Sequence, residues 1–335
     1  MGEKKNLSQG IFKKKGVGQV LTAFAGVIVL MIIFSCMNSN FASAHNMTSL
    51  LRQVCPYLLV GIGQAYVCIT GNIDLSIGSV MGMSSMISAT LMCNGVHPFG
   101  AVLVALIACM MVGVANGILV GKFKLPPFIG TLGTMTIGRG IAQIVNGNYN
   151  TADIGAGAAE TFRNIFYYGK TLGIYNGVWI TAVIWIVFNY ILGSTKSGRH
   201  IYAVGSNAEA SKLSGVNVFA TVTKAYLVSA FCSFVTGLIV MAAAGIGAMD
   251  TGMSYEMYAV ASAVIGGVST LGGSGLLAGV IAGAGVWAVL QNGLTFANAP
   301  VAIRNIVIGA IVVGCVLLDI VRRTGIIKPK AKAKK

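Results

Sequence analysis

Acidic side chains are scarce in this sequence. Only 8 Asp and Glu stand against 23 Lys and Arg among 335 residues, and charged residues make up 9% of the chain while hydrophobic residues make up 56%. This composition excludes an ordinary soluble domain, in which about a quarter of the residues are charged. It predicts an all-α polytopic membrane protein, because runs of about twenty apolar residues cross a bilayer as helices.

Residue patterns that carry chemistry are also missing. The 3 histidines have no metal-binding spacing, and the 7 cysteines contain no CxxC pair. Gly169-Lys170-Thr171 has the ending of a nucleotide-binding loop, but Asn164 stands where its first glycine belongs. No nucleophile with a neighbouring base is recognisable. We therefore expect no catalytic residue, metal or cofactor in this chain, and an energy source in another protein.

Ten apolar runs are candidates for membrane spans. They lie near residues 20–38, 51–71, 77–93, 99–121, 126–145, 172–193, 219–243, 257–271, 276–293 and 301–321. The run 257–271 is short enough to be tilted or broken. We expect one transmembrane domain over 20–321, a basic cytoplasmic leader over 1–19 and a basic cytoplasmic tail over 322–335.

The basic residues favour an even number of spans with both termini in the cytoplasm. With that topology most of the 23 Lys and Arg lie on the cytoplasmic side, as the positive-inside rule requires, and an odd number of spans would spoil the bias. The exceptions are Arg139, inside a run, and Arg52, Arg163, Lys170 and Arg304 on the outer side. The net charge of +15 thus indicates topology and contact with anionic lipid, not nucleic-acid binding.

One polar interval, residues 194–218, divides the apolar runs into two halves. Ser206 stands three residues before Glu209, which is the spacing of a capping box, and Gly215 stands where a left-handed helix end is expected. These signals predict a short helix over 206–214. Because isolated helices shorter than ~12 residues are marginal in water, its flanks or a partner must hold it. Helix caps alone also fit an ordinary ordered loop.

This interval contains Gly198-Arg199, Tyr202, Gly205, Asn207, Glu209, Ala210, Ser214 and Gly215. The pattern resembles the cytoplasmic coupling loop of sugar-type ABC importer permeases, the group of the ribose, xylose, arabinose and galactoside permeases. In that family the loop docks into a separate ATPase subunit. The resemblance implies that ATPase coupling involves Arg199, Gly205, Ser206, Asn207, Ala208, Glu209, Ala210, Leu213 and Gly215.

Three further stretches are similar to the same family. GNIDLSIGS, at 71–79, resembles its Gly-Gly-Ile-Asp-Leu-Ser-Val-Gly signature, with Asn72 in place of the second glycine. The Pro-Phe-Ile-x-Thr-Leu-Gly-Thr pattern occupies 127–134, and Pro126 and Pro127 at its start also suit the first turn of a helix. The stretch YEMYAVASA, which begins at Tyr255, resembles Tyr-Glu-Leu-Asp-Ala-Ile-Ala-Ala, but the family's aspartate is Tyr258 here. No role of that aspartate is therefore carried over.

Four polar residues in or beside the runs are candidates for the translocation path or for structural roles. Asp74 and Ser76 stand where the third run begins, so either can cap a helix, and an acid in a membrane is often functional. Arg139 lies well inside the fifth run, where we expect it to face a watery cavity rather than to reach the interface. Glu256 begins the eighth run. In an ion-coupled transporter, Asp74 or Glu256 would carry a proton.

Together the matches imply a permease subunit of a binding-protein-dependent, ATP-driven importer for a small neutral monosaccharide in the bacterial inner membrane. The implied partners are ATPase subunits that use ATP and Mg, an extracytoplasmic sugar-binding protein and a second copy of the permease. We expect Arg52, Arg163, Lys170 and Arg304 to meet carboxylates of the binding protein. A branched-chain amino acid permease and an ion-coupled secondary transporter remain alternatives.

Overall fold

A computed structural model describes residues 17–155 and 157–324, so most of the predicted leader and tail lies outside the described residues. The helices are α1 (Val17–Met37), α2 (Ala44–Ile69), α3 (Ile77–Cys93), α4 (Pro98–Asn116), α5 (Pro127–Ile144), α6 (Ala158–Arg163), α7 (Asn176–Ser194), α8 (Lys196–Ser206), α9 (Ala208–Leu213), α10 (Val218–Ala244), α11 (Tyr255–Ile265), α12 (Leu277–Phe296) and α13 (Val301–Thr324). Shorter elements are a 3₁₀ helix (Ser39–Ala42), two π-helical turns (Gly117–Lys122 and Asn164–Tyr168) and an antiparallel hairpin of β1 (Lys170–Thr171) and β2 (Ile174–Tyr175).

Each predicted apolar run overlaps an α-helix, and the all-α membrane architecture is confirmed. Within the described residues, five helical stretches are long and apolar enough by themselves to cross a membrane. They are Val20–Met37, Pro98–Lys122, Asn176–Ser194, Val218–Ala244 and Leu277–Phe296. The start of α5 at Pro127 is also as predicted, because proline suits the first turn of a helix.

The predicted run 257–271 is broken, as its shortness suggested. Helix α11 has only 11 residues, which at 1.5 Å each cover about half of a 30 Å hydrocarbon core. A loop rich in glycine follows Ile265, and in it Gly267, Gly272 and Gly273 have φ angles of +87°, +90° and +71°. Side chains other than glycine rarely adopt these angles, so the glycines fix the break.

Helix α10 lies at the centre of the fold and packs against α2, α3 and α4. Small residues make this possible. A Cβ placed on Gly63 of α2 would lie 2.8 Å from the Ser229 Cα, and one placed on Gly237 would lie 2.7 Å from the Ser84 Cβ. Because lipid supplies no hydrophobic drive between helices, close packing of this kind stabilises them. It also brings the polar side chains of α10 against the turn between α2 and α3.

On the other side of α2, helix α11 packs between α2 and α12, and α12 packs against α1. A cluster of aromatic rings fills this region. Tyr57 of α2 stacks on Tyr255 with ring centroids 5.8 Å apart, and Tyr258 lies 4.9 Å from Trp287. Tyr258, which replaces the aspartate of the resembling signature, is therefore part of an aromatic contact between α11 and α12.

Candidate transport and coupling sites

Asp74 lies in the turn between α2 and α3 and is only 2% exposed. Its Oδ1 accepts hydrogen bonds from the Ser76 backbone N–H (2.8 Å) and the Ser76 hydroxyl (2.6 Å). Its Oδ2 accepts one from the Ser229 hydroxyl of α10 (2.7 Å). Ser76 precedes α3 directly but makes no side-chain cap, so its predicted capping role is wrong. Instead, the Asp74 carboxylate accepts hydrogen bonds from the Ser76 hydroxyl and from the Ser76 N–H beside the start of the helix.

The hydrogen bonds continue from Ser76 into two more helices. The Asn116 amide of α4 donates to the Ser76 hydroxyl oxygen (2.9 Å), and the Thr134 hydroxyl of α5 donates to the Asn116 amide oxygen (2.6 Å). All of these side chains are buried. We name the chain Ser229–Asp74–Ser76–Asn116–Thr134 the polar network. It connects α10, the α2–α3 turn, α4 and α5, and it meets the need of a buried carboxylate for donors.

Asn116 and Thr134 were not among the residues predicted from the sequence. Each is a polar residue inside an apolar run, which is a weak sign of a buried hydrogen bond, because buried polar groups are almost always hydrogen-bonded. The sequence does not say which partner each one has. That depends on the packing of α4 and α5 against the turn.

Arg139 and Glu256 come together beside Gly78 of α3. The Arg139 Nη1 donates to the Thr251 carbonyl (2.6 Å). A Cβ placed on Gly78 of α3 would lie 3.2 Å from the Arg139 Nη2 and 2.7 Å from the Glu256 Oε2. The two opposite charges therefore lie beside the same glycine. The structure thus divides the four predicted polar residues into two pairs, Asp74 with Ser76 and Arg139 with Glu256.

The polar interval contains two helices rather than the one that was predicted. Helix α8 occupies its first half and begins after Thr195, whose side-chain oxygen accepts a hydrogen bond from the Gly198 N–H (3.3 Å). Helix α9 follows after a single residue, Asn207. The buried side chains of Ile201 and Val204 hold α8 against the core, which explains why it is stable although its sequence is polar.

The predicted capping box of Ser206 and Glu209 is wrong. Ser206 is the last residue of α8, and its hydroxyl donates to the Tyr202 carbonyl (2.9 Å). Asn207 caps α9 instead, because its side-chain oxygen accepts from the Ala210 N–H (2.9 Å) and asparagine is one of the best N-cap residues. The predicted helix end is confirmed, since Gly215 has a φ of +81° just beyond α9.

Helix α9 offers several side chains to the surface of the molecule. Leu213 is 90% exposed, Glu209 and Ala210 are exposed, Ala208 is half-buried and only Ser211 is buried. A leucine this exposed on a helix of 6 residues gains nothing from the chain's own core. Arg199 of α8 is exposed on the same segment. A cavity of about 400 Å³ separates α9 from the Gly121–Lys124 stretch, and Glu209 and Lys212 are among the residues that line it.

Two of the family-like motifs, the polar interval and the stretch 71–79, meet the loop after α11 behind α9. A Cβ placed on Gly205 would lie 2.6 Å from the Gly273 N and would collide with the Ile69 carbonyl, and one placed on Gly272 would lie 3.0 Å from the Gly71 Cα. The Gly273 N–H donates to the Ile69 carbonyl (2.9 Å). We name the contact of Gly71, Gly205, Gly272 and Gly273 the glycine junction. It joins α8, the end of α2 and the loop after α11 through their backbones.

A side-chain hydrogen bond supports the same junction, since the Tyr202 hydroxyl donates to the Gly275 carbonyl (2.7 Å). The α2–α3 turn that begins at the junction carries Asp74 three residues later. The junction therefore connects α8, through backbone contacts, to the turn that carries Asp74 and to the loop that precedes α12.

Arg52 and Lys170, two of the four cations predicted to lie outside, contact the same tyrosine. The Arg52 guanidinium lies 3.9 Å from the Tyr175 ring centroid and 4.8 Å from that of Tyr167, and the Lys170 Nζ lies 4.6 Å from Tyr175. Contacts of a cation with an aromatic face are attractive. Residues from the start of α2 and from the hairpin are thus held together.

The other two cations predicted to lie outside donate hydrogen bonds to backbone carbonyls of this chain. The Arg163 Nε donates to the Ala242 carbonyl (3.1 Å), and its guanidinium lies 5.1 Å from the Tyr168 ring centroid. The Arg304 Nε donates to the Ala299 carbonyl (2.9 Å). Docking of a binding protein on these residues stays a prediction.

The fold and these sites define a polytopic helical membrane protein in which an ordered polar segment is connected to a buried polar network. Within 17–155 and 157–324, no group of three His, Cys, Asp or Glu could hold a metal ion.

Comparison with known proteins identifies the family. The family model described as branched-chain amino acid transport system, permease component, matches residues 46–316. The chain is 34% identical to the ribose import permease of Bacillus subtilis over 305 residues, 91% of this chain and 94% of the relative. It is 33% identical to the ribose import permease of Haemophilus influenzae over 297 residues, 89% of this chain and 92% of the relative. No solved structure was found to match.

This chain therefore belongs to that family of permease components. A third relative, the D-allose transport system permease of Escherichia coli, is 32% identical over 302 residues, 89% of this chain and 90% of the relative. The family resemblance drawn from the sequence motifs is confirmed. The protein is a transport subunit, not an enzyme, and a multi-pass protein of the bacterial inner membrane.

Proposed function

We propose that this chain is the membrane-spanning permease of a binding-protein-dependent, ATP-driven importer for a neutral monosaccharide, and that it works by alternating access. The relatives that import ribose and allose support the substrate class. The glycine junction is the observation that carries the mechanism, because it gives an ATPase on the cytoplasmic side a rigid route into the membrane helices.

The proposed cycle uses the chain's own connections. A loaded sugar-binding protein docks outside, and ATP binding to the partner subunits moves α9. Because α8 contacts the α2–α3 turn and the loop after α11 through their backbones, those segments move with it. The polar network then shifts α4, α5 and α10 together. Mg and ATP act in the partner, and no group of this chain reacts.

The proposed assembly contains two copies of this permease, two ATPase subunits and one binding protein. Each permease crosses the membrane ten times within residues 20–321, with both termini and the coupling loop 194–218 in the cytoplasm. The bias of basic residues supports this topology. Helices α3 and α11, which are too short to qualify as spans alone, would cross by pairing with the turns that extend them.

Reconstitution tests the proposal. The complex of permease, ATPase and binding protein is placed in proteoliposomes, and uptake of D-ribose, D-allose and D-fructose is compared with uptake of leucine. We expect ATP-dependent uptake of at least one sugar and none of leucine. Collapse of the membrane potential at constant ATP should leave the uptake intact, whereas loss of uptake would indicate the ion-coupled alternative. Uptake of leucine alone would show that the substrate is an amino acid and not a sugar.

A variant of α9 tests the coupling role. Leu213→Asp places a charge where a partner is expected to desolvate the leucine, and burial of an unpaired charge is costly. We expect normal insertion but weak ATPase association and low uptake. Leu213→Met should retain both, and Gly193→Asp, which adds the same charge in α7 just outside the coupling loop, should behave as the unchanged protein. Full ATPase association in Leu213→Asp would remove α9 from the coupling surface.

A further inference from the structure

A cavity of about 170 Å³ opens near the outer side of the molecule, between α2, α10, α11 and the π-helical turn after α6. Its lining includes Arg52, Gln53, Tyr57, Tyr167, Ala243 and Tyr255. An apolar cavity of about 150 Å³ can hold a benzene ring. This outer cavity is therefore large enough for one six-membered ring, but not for a peptide or a lipid chain.

The chemistry of the lining is that of a site for a neutral polar ring. The residues that line the outer cavity include an amide, a guanidinium and three tyrosines, and none of those described is acidic. Tyr57 and Tyr255 stack on each other with centroids 5.8 Å apart, so they present a fixed aromatic wall. Tyrosine combines an apolar face with a hydroxyl, which suits a ring that carries both C–H and O–H groups.

Arg52 supplies the sharpest sign that a ligand is expected. Its Nε is buried and donates to no acceptor among the described residues. The guanidinium cannot easily turn away, because it lies 3.9 Å from the Tyr175 ring centroid and 4.8 Å from that of Tyr167. Buried donors without an acceptor are rare and need an explanation. An acceptor oxygen that enters the outer cavity would provide one.

We propose that the outer cavity is the first binding site of the permease for its neutral monosaccharide: Arg52 donates a hydrogen bond to a sugar oxygen, and Tyr57 and Tyr255 cover one face of the ring. This inference rests on the proposed function. It gives Arg52 a role different from the docking role predicted from sequence, since the guanidinium faces a cavity and not a partner surface.

Transport at saturating binding protein separates the two roles of Arg52. A docking defect disappears when loaded binding protein saturates the complex, whereas a defect at a binding site inside the permease persists. For Arg52→Gln we expect uptake of D-ribose, D-allose or D-fructose at saturation to fall about tenfold to a hundredfold, the usual effect of losing a hydrogen bond to a charged group. Lys170→Gln is the matched control, because Lys170 contacts the same tyrosine ring without lining the cavity. It should reach the uptake of the unchanged protein.

Alkylation gives a second measurement that does not depend on transport. In a complex whose 7 native cysteines are replaced, Ala243→Cys places a thiol in the outer cavity, and Ala244→Cys places one on the exposed neighbouring position. Millimolar transported sugar should slow the modification of position 243 and leave that of position 244 unchanged. Leucine at the same concentration should protect neither.

The outcomes are distinguishable from failure of the proposed function. If the unchanged complex takes up leucine and no sugar, both proposals are overturned. If it takes up a sugar while Arg52→Gln matches Lys170→Gln at saturation, only the outer cavity is overturned. If Arg52→Gln does not assemble, the alkylation experiment decides: equal modification of position 243 with and without sugar overturns the proposal for the outer cavity.

Discussion

Gly205→Ala is the substitution that tests the glycine junction most directly. The new Cβ would lie 2.6 Å from the Gly273 N and would collide with the Ile69 carbonyl, and neither backbone group can rotate away. Overpacking in a well-packed site costs about 1–3 kcal/mol. Separation of the loop from α2 would also weaken the 2.9 Å hydrogen bond between Gly273 and Ile69, which adds roughly 1 kcal/mol.

Such a cost is smaller than the stability of a typical folded domain, which is about 5–15 kcal/mol, so the variant should still insert and fold. Its effect should fall on the balance between conformations of the transport cycle. A bias of about 2 kcal/mol changes a ratio of two states roughly thirtyfold. We therefore expect ATPase association to be retained while sugar uptake per ATP hydrolysed falls by about this factor.

The assay measures uptake and ATP hydrolysis in the same proteoliposomes. Gly193→Ala is the matched control: Gly193 lies in α7 at the cytoplasmic side, and its added Cβ would meet nothing within 4 Å. This control should behave as the unchanged protein or be slightly more stable, because alanine favours helix over glycine. If Gly205→Ala couples ATP hydrolysis to uptake as well as Gly193→Ala does, the junction does not transmit motion.

Three further predictions concern the cap, the polar network and the topology. Asn207→Ala should destabilise α9 by about 1 kcal/mol and partially lower the affinity for the ATPase. Ser206→Ala should leave that affinity unchanged, and titration with the ATPase measures both variants. Asp74→Asn should retain ATP-driven uptake if the carboxylate is structural, and complete loss of uptake in a stable variant would assign Asp74 to the transport path. An impermeant thiol reagent outside sealed cells should modify Ala158→Cys but not Leu213→Cys, and the reverse result would invert the proposed topology.

Much of the fold follows from patterns that the sequence shows openly. Apolar runs predict the long helices because the bilayer fixes the length of a span. Pro127 at the start of α5 and Gly215 after α9 were predicted correctly because proline and glycine have backbone preferences that do not depend on distant contacts. The break in the run 257–271 was also predicted correctly, from the shortness of the run. The glycines that follow α11 explain it, because their backbone preferences do not depend on distant contacts.

The errors occurred where two local solutions were nearly equal. Ser206 and Asn207 are both good N-cap residues, and only the packing of α8 decides which of them starts α9. Ile201 and Val204 extend α8 as far as Ser206, so the cap moves one residue along. Likewise, Ser76 occupies the cap position of α3, but the nearby Asp74 carboxylate is a stronger acceptor for its hydroxyl.

The glycine junction shows why the mechanism could not be derived from sequence alone. Gly71, Gly205, Gly272 and Gly273 each have an adequate local explanation as turn or helix-end residues. Their second property, the lack of a Cβ where three backbones meet, involves segments that are far apart in sequence. A glycine that only ends a helix tolerates new neighbours, whereas Gly205, Gly272 and Gly273 leave no room for a side chain, because a Cβ on each would lie too close to a neighbouring atom. The residues that interrupt the helices therefore also join them, and in the proposed mechanism an external force on α8 reaches the turn of Asp74 through backbone contacts.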